Sequence, residues 1–191
     1  ELEYSLYLAT NGRPGPVLLD IPVDIQRAEI EPEKLKGFTA QLQDKNSINS
    51  DQLNKKLEKL YLDIEKSKRP VFLIGGGVQN ANAISELHEL GDILKIPMYP
   101  TWNALDVVTS DYPYYCGRIG TYGGAGRNFG IQNSDLLISI GSRISGRITG
   151  GNVKTFARDA KKYMIDVDPG VLTKKFQQVP FDENINCDAK K

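Results

Sequence analysis

Five of the eight arginines, Arg118, Arg127, Arg143, Arg147 and Arg158, fall within residues 118–158. Arg143 and Arg147 stand four apart just beyond an apolar run, so in a helical turn they would share a face. Arginine is the side chain suited to bidentate contacts with phosphate; the competing reading is surface or interdomain salt bridges. Gly75, Gly76 and Gly77 form a second signal, because consecutive glycines let a backbone turn sharply and come close to a ligand. A helix start beyond them would add N–H groups that favour a phosphate. The same glycines equally suit a tight turn that binds nothing. Asp166, at the tip of a later apolar run, could accept from a ribose or adenine, or it could cap the next helix.

Acid–base and nucleophilic chemistry find poorer material. His88 is the single histidine and lies mid-helix, where a partly buried or surface role is the ordinary one. No serine has a His/Asp partner pattern, and no acid cluster has metal-ligand spacing. Cys116 sits in a glycine-rich loop, where cysteine is more often a small buried residue than a nucleophile. No residue is assigned a catalytic or metal-binding role. The features together favour binding of a large, phosphate-bearing ligand, with a dinucleotide as the best fit.

These residues need elements to hold them. Val71 to Ile74 is an uncharged run that is too short for a helix and suits a strand buried on both faces. Ile84, Leu87, Leu90 and Leu94 then recur at helical spacing. A short strand is expected at Ile96–Pro100, followed by a loop carrying Thr101 and Trp102. A long glycine- and aromatic-rich loop from Tyr112 to Gly130 runs into a short helix. Strands follow at 135–141 and 162–168, and a short helix is expected from Pro169 to Lys175, with a weakly structured tail. Strands near 70, 97, 135 and 162 alternating with helices predict an α/β, three-layer, Rossmann-like domain. Its mainly parallel sheet has helices on both faces. The loops after those strands share one edge, where ligands bind in such folds.

Ahead of this pattern, Leu2, Leu6 and Ala9 fall on one helical face, and Val17–Ile21 reads as a short buried strand bracketed by prolines. No strand neighbours it for about 45 residues, so this helix–strand remnant is expected to belong to a domain whose remainder is missing. Residues 25–49 read as a linker, and a helix carrying Leu53, Leu57, Leu60 and Ile64 on one stripe opens the domain at 50–191, capped by Asn49 or Ser50. With 191 residues, 24 basic and 24 acidic side chains, the net charge of zero argues against a nucleic-acid or anionic-membrane surface. No apolar run approaches the roughly 20 residues that a spanning helix needs. Cys116 and Cys187 form no CxxC pair, and a reducing cytoplasm is the expected compartment. The opening has no signal-peptide pattern and reads as a helix already under way, so the chain is expected to be a fragment of a longer one.

The stretch from Gly12 to Asp24 (Gly-Arg-Pro-Gly-Pro-Val-Leu-Leu-Asp-Ile-Pro-Val-Asp) resembles the end of the N-terminal, pyrimidine-binding domain of thiamine diphosphate enzymes of the acetolactate synthase group. Arg69–Pro169 is similar to that group's central domain: the Gly75-Gly76-Gly77 turn, the Gly117-Arg-Ile-Gly-Thr121 loop, the Gly141-Ser-Arg-Ile-Ser-Gly-Arg-Ile-Thr-Gly150 segment and Ile165-Asp-Val-Asp-Pro169. The resemblance implies that 1–24 ends the pyrimidine-binding domain, 25–49 links, and 50–191 is the central domain. In acetolactate synthases that domain holds FAD, which takes no net redox part. Carried over, it implies FAD contacts at Gly75, Gly76, Gly77, Thr101, Trp102, Arg118, Ile119, Gly120, Gly141, Ser142, Arg143, Arg147 and Asp166. The sequence departs from the family at two places. Arg118-Ile119 replaces a usual Met-His, and Ser145-Gly146 replaces two acids between the motif arginines.

The same resemblance implies a parent enzyme that uses thiamine diphosphate and Mg²⁺, bound outside this chain. It would decarboxylate a 2-keto acid such as pyruvate and ligate the two-carbon unit to a carbonyl acceptor, as a homodimer or homotetramer. The chain alone is expected to be inactive. Three alternatives remain at this point: a relative acting on another acceptor such as a nucleotide-linked keto-sugar, a cofactor-free structural spacer, and an independent NAD-binding domain, the last weakened by the missing GxGxxG.

Overall fold

The structure, a computed structural model, describes residues 1–39, 49–173, 175 and 177–191. Its contacts divide the chain into two units, Glu1–Lys45 and Asn46–Lys191.

In the first unit, α1 (Leu2–Thr10) ends where Asn11 donates both its backbone N–H and its side-chain amide to the Tyr7 carbonyl. This answers part of the need of terminal carbonyls for donors. Phe38 returns to pack its ring on Tyr4 and Tyr7 at 5.1 and 5.3 Å. The stripe of Leu2 and Leu6 is exposed. A second short helix, α2 (Val23–Gln26), and a 3₁₀ turn at Pro32–Lys34 follow. The strand expected at Val17–Ile21 does not form. Those residues join no sheet, and Leu18 is 93% exposed. A strand needs a partner's N–H and C=O groups, and none pairs with it among the described residues. Part of the expected linker, residues 40–48, lies outside the described residues.

The second unit opens with α3 (Ser50–Lys66), capped by Asn49, whose carboxamide oxygen accepts the Asp51 N–H at 3.0 Å. The chain then runs through β1 (Pro70–Ile74), α4 (Gly77–Asn80), α5 (Ile84–Leu94), β2 (Met98–Pro100), α6 (Ala125–Gln132), β3 (Leu136–Ile140), α7 (Gly146–Thr149), β4 (Lys161–Asp166) and β5 (Glu183–Asn186). The sheet is parallel throughout, in the order β2-β1-β3-β4-β5. The order reverses direction at β1, the switch point beside which open α/β sheets bind ligands.

Period-two alternation explains the layers. Phe72, Ile74, Leu136, Ile138, Ile140, Tyr163 and Ile165 face one way, onto Leu53, Leu57, Leu60 and Ile64 of α3 and Leu87 of α5. Val71, Leu73, Leu137 and Tyr99 face the other way, onto Ile131 of α6, Ile119, Ile144 and Phe156. Both faces are buried, which accounts for the uncharged sequences of β1, β2 and β3. Asp135 fixes the start of this sheet by accepting hydrogen bonds from the Ser67 hydroxyl and, at 2.8 and 2.9 Å, from the Lys68 and Arg69 N–H groups.

The C-terminal end differs from expectation in two ways. The described residues between Pro169 and Lys175 form turns rather than a helix, because Asp168 Oδ1 takes the Gly170 N–H at 2.8 Å and directs the backbone into a local loop. The tail, expected to be weakly structured, supplies β5. It pairs from Glu183 opposite Tyr163 to Asn186 opposite Asp166. Its sequence, Glu-Asn-Ile-Asn, buries only Ile185, as suits an edge strand.

Candidate functional site

Four strand ends converge at the C-terminal edge of the sheet, and backbone packing dominates there. The Gly75 N–H donates to the Ile140 carbonyl at 2.9 Å, and the Gly77 N–H to the Gly141 carbonyl at 3.1 Å. A Cβ on Gly75 would come within 2.5 Å of the Gly141 carbonyl carbon and 2.6 Å of Ser142 Cα; one on Gly77 would lie 2.7 Å from Gly141 Cα. Gly141 itself has φ +61°, a left-handed conformation that favours glycine. The glycines after β1 and β3 thus interlock with each other. Gly76 faces Asn103, whose carbonyl oxygen would be 2.7 Å from an added Cβ.

Next along the edge, the buried Thr101 donates its N–H to the Ile74 carbonyl at 2.8 Å, which extends the β1–β2 ladder by one residue. Trp102 then opens a 3₁₀ turn and is 45% exposed. Its ring meets Tyr122 edge-on at 5.5 Å, and the Arg118 guanidinium carbon lies 5.8 Å from its centroid. That separation falls within cation–π range. Arg118 and Gly120 belong to a loop in which Gly117 and Gly120 both have positive φ. The loop docks on α7, since the Thr121 N–H donates to the Arg147 carbonyl at 2.9 Å. Ile119 points the other way, 1% exposed, into the cluster with Val71, Leu73 and Ile131.

Beyond β3, Ser142 is buried and its carbonyl accepts from the Ser139 hydroxyl at 3.1 Å. Arg143 and Arg147 are exposed, but they do not share a helical turn. Helix α7 starts only at Gly146, and Ile144 between them has φ 46°. That conformation is costly for a β-branched residue and breaks any helical continuity with Arg143. Asp166, 7% exposed, accepts the Asp168 N–H on Oδ1 at 2.9 Å. No helix follows β4 among the described residues for it to cap, and this hydrogen bond closes the local turn instead.

The residues passed over for catalysis have structural work. The His88 Nε2 lies 2.8 Å from the Val107 carbonyl, its ring stacks on Tyr112 at 4.6 Å, and the Tyr112 hydroxyl donates to the His88 carbonyl at 2.9 Å. Burial pushes the Cys116 thiol up, against partial relief from a hydrogen bond to Tyr99, whose own phenol is raised by burial to about 12. A thiol held protonated is a poor nucleophile. Among the described residues no group of three His, Cys, Asp or Glu side chains could hold a metal ion. Nor is any helix long and apolar enough to cross a membrane.

The edge therefore gathers Gly75–Gly77, Thr101, Trp102, Arg118, Gly120, Gly141–Arg143, Arg147 and Asp166, while Ile119 can meet a ligand only through its backbone. Arg118, Arg127, Arg143 and Arg147 take part in no ion pair among the described residues; Arg158 pairs instead with Asp159 at 3.6 Å. Sequence reasoning missed Asn128 and Tyr122, which organise the Arg118 loop. The edge presents exposed guanidinium groups and an exposed indole.

Comparison with known proteins identifies the family. The family model for the thiamine pyrophosphate enzyme central domain matches residues 57–191. The acetolactate synthase isozyme 2 large subunit of Escherichia coli (strain K12) is 38% identical over 169 residues, 87% of this chain and 29% of that protein. The probable acetolactate synthase large subunit of Methanococcus aeolicus is 38% identical over 191 residues, 96% of this chain and 30% of that protein. The chain thus spans under a third of the length of these relatives. Among solved structures, a putative thiamin diphosphate-dependent enzyme from Mycobacterium smegmatis matches with a TM-score of 0.65 at 18% identity, over 99% of this chain and 34% of that one, a likeness of fold. The parallel sheet and the match across residues 57–191 place the chain in the thiamine pyrophosphate enzyme central-domain family.

Proposed function

We propose that residues 50–191 are the central, non-catalytic domain of an acetolactate synthase-like enzyme, that 1–24 end its pyrimidine-binding domain, and that 25–49 link the two. The whole enzyme decarboxylates a 2-keto acid such as pyruvate and joins the two-carbon unit to a carbonyl acceptor. Thiamine diphosphate with Mg²⁺, held by other domains, supplies the carbanion stabilisation. The reading also takes the enzyme to be a cytoplasmic homodimer or homotetramer. Its support is the 38% identity to acetolactate synthase large subunits over nearly all of this chain.

The domain's own task in this reading is to hold FAD at the C-terminal edge. The observation that carries it is the set of arginines without an ion pair among the described residues, Arg118, Arg143 and Arg147, on the edge where parallel sheets bind nucleotides. Arginine forks fit a diphosphate, Trp102 offers an exposed aromatic face, and Thr101, Gly120, Ser142 and Asp166 border the same edge. Gly75, Gly76, Gly77 and Gly141 serve the site by bringing the strand ends together, and Ile119 by anchoring its loop. The residues present fit such a group. Bound there, FAD would act as a structural element between domains, with no net redox part.

The purified protein should be yellow and release flavin on denaturation, and Arg143→Ala and Arg147→Ala should each lower the flavin retained. A colourless protein with no flavin after denaturation sinks the cofactor claim. That result would leave the second reading, a cofactor-free spacer, favoured by the fact that backbone packing already accounts for Gly75, Gly77 and Gly141. The chain alone should not decarboxylate pyruvate when given thiamine diphosphate and Mg²⁺; robust turnover would refute the domain assignment.

A further inference from the structure

Asn128, in the middle of α6, makes two hydrogen bonds to one residue. Its Oδ1 accepts the Gly120 N–H at 2.8 Å, and its Nδ2 donates to the Gly120 carbonyl at 3.1 Å. A side-chain amide here supplies the donor–acceptor pair that a neighbouring strand supplies elsewhere. Gly120 needs that support. It sits at φ +103°, and its open side faces the backbone of Arg147 and Ile148, leaving no room for a side chain. The loop from Gly117 to Gly124 belongs to no strand or helix among the described residues. Its fastenings to the fold include Asn128 on one side and the Arg147 carbonyl, which receives the Thr121 N–H, on the other. Two residues before Gly120, Arg118 lies over Trp102 and makes no ion pair among the described residues.

We propose that Asn128 is the positioning residue of this edge: by clamping Gly120 it holds Arg118 over Trp102, so that an anionic ligand meets a guanidinium whose direction is already set. Preorganisation of this kind raises affinity by removing the ordering cost from the binding step. Asn128 need not touch the ligand. The ligand half of the inference rests on the reading of this edge as a cofactor site; the clamp itself does not.

Trp102 is the single tryptophan of the 191-residue chain, so its fluorescence reports the clamp with no ligand present. Acrylamide quenching would be compared for the wild-type chain, Asn128→Ala, Asn128→Asp and Arg118→Ala, with thermal melts alongside. Asn128→Ala should move the quenching constant to the Arg118→Ala value, and Asn128→Asp, which keeps the acceptor and loses the donor, should fall between. Wild-type quenching in a folded Asn128→Ala chain overturns the proposal. If the alanine variant fails to fold, wild-type quenching in Asn128→Asp does the same. In a protein that retains flavin, Asn128→Ala should lower retention about tenfold, the scale of one net hydrogen bond. Unchanged retention there overturns the positioning role. Flavin-free wild-type protein with shifted quenching would sink the cofactor reading and leave the clamp standing.

Discussion

Gly75→Ala separates two reasons for a glycine at the end of β1, close packing and ligand approach. The added methyl would lie 2.5 Å from the Gly141 carbonyl carbon and 2.6 Å from Ser142 Cα, where ordinary contact begins at 3.4 Å. Both obstacles are backbone, so no side chain can swing aside. The ends of β1 and β3 would have to part by roughly 1 Å, and overpacking of that kind costs about 1–3 kcal/mol. The same displacement pulls the Gly75 N–H from Ile140 and the Gly77 N–H from Gly141, each bond worth about 1 kcal/mol net. A total of roughly 3–5 kcal/mol at about 2–4 °C per kcal/mol for a chain of this size lowers the melting temperature by about 6–20 °C. Gly126→Ala is the internal control. It lies in α6 with nothing within 4 Å of an added Cβ, so alanine there should stabilise by about 0.5–1 kcal/mol. Thermal unfolding followed by circular dichroism reads both. If Gly75→Ala melts within about 2 °C of wild type while altering flavin retention, the packing argument is wrong and the turn is a ligand cradle first.

Asp135 should govern part of the acid limb of stability. Burial alone would raise its pKa, but hydrogen bonds from Ser67, Lys68 and Arg69 outweigh burial and hold the carboxyl below the usual range. A folded pKa below the unfolded value of about 3.9 means its contribution is complete above roughly pH 5 and is lost as pH falls through the folded value. Asp135→Asn should therefore be less stable than wild type at pH 7, with the gap closing towards pH 3 in urea titrations. A gap that is constant with pH would contradict this linkage. Ile119→His, restoring half of the family's Met-His pair, should destabilise by about 1–3 kcal/mol by burying a polar ring in an apolar cluster; an unchanged urea midpoint would show that the position opens to solvent. His88→Gln should leave flavin retention unchanged and cost about 1 kcal/mol or less through lost stacking on Tyr112; reduced retention at unchanged stability would show that His88 does more than pack.

The sequence signal was strongest where one strand buries both faces. Val71–Ile74 and Leu136–Ile140 contain no charge, and short length plus glycine at the end left a strand as the economical reading. The same test failed at β5, where Glu183, Asn184 and Asn186 surround the one buried side chain, Ile185. Pairing with β4, set by register rather than composition, makes it a strand. At Val17–Ile21 the failure runs in reverse: apolar content predicts a strand, but no described segment pairs with it. In the site, arginines and glycines were visible as residue types. The packing of Gly75 and Gly77 on Gly141 was not, because it joins residues more than 60 positions apart. Asn128 was invisible for a related reason. An asparagine inside a helix has no periodic signature, and its partner Gly120 lies eight positions back across a turn.

The departure at Arg118-Ile119 makes physical sense as one coupled change. The two neighbours point to opposite sides of the loop: Arg118 lies over Trp102 at the edge, and Ile119 is sealed in the core beside Val71 and Leu73. An apolar residue at 119 fastens the loop from below, while Asn128 fastens it from the side at Gly120. With the backbone held twice, a long cation at 118 loses less freedom in lying on the tryptophan, since an ordered base has already met part of the entropic cost. The outward residue presents a cation at the edge, and the inward one packs its loop onto the core. The charge at 118 and the buried apolar side chain at 119 thus divide the two sides of one loop between them.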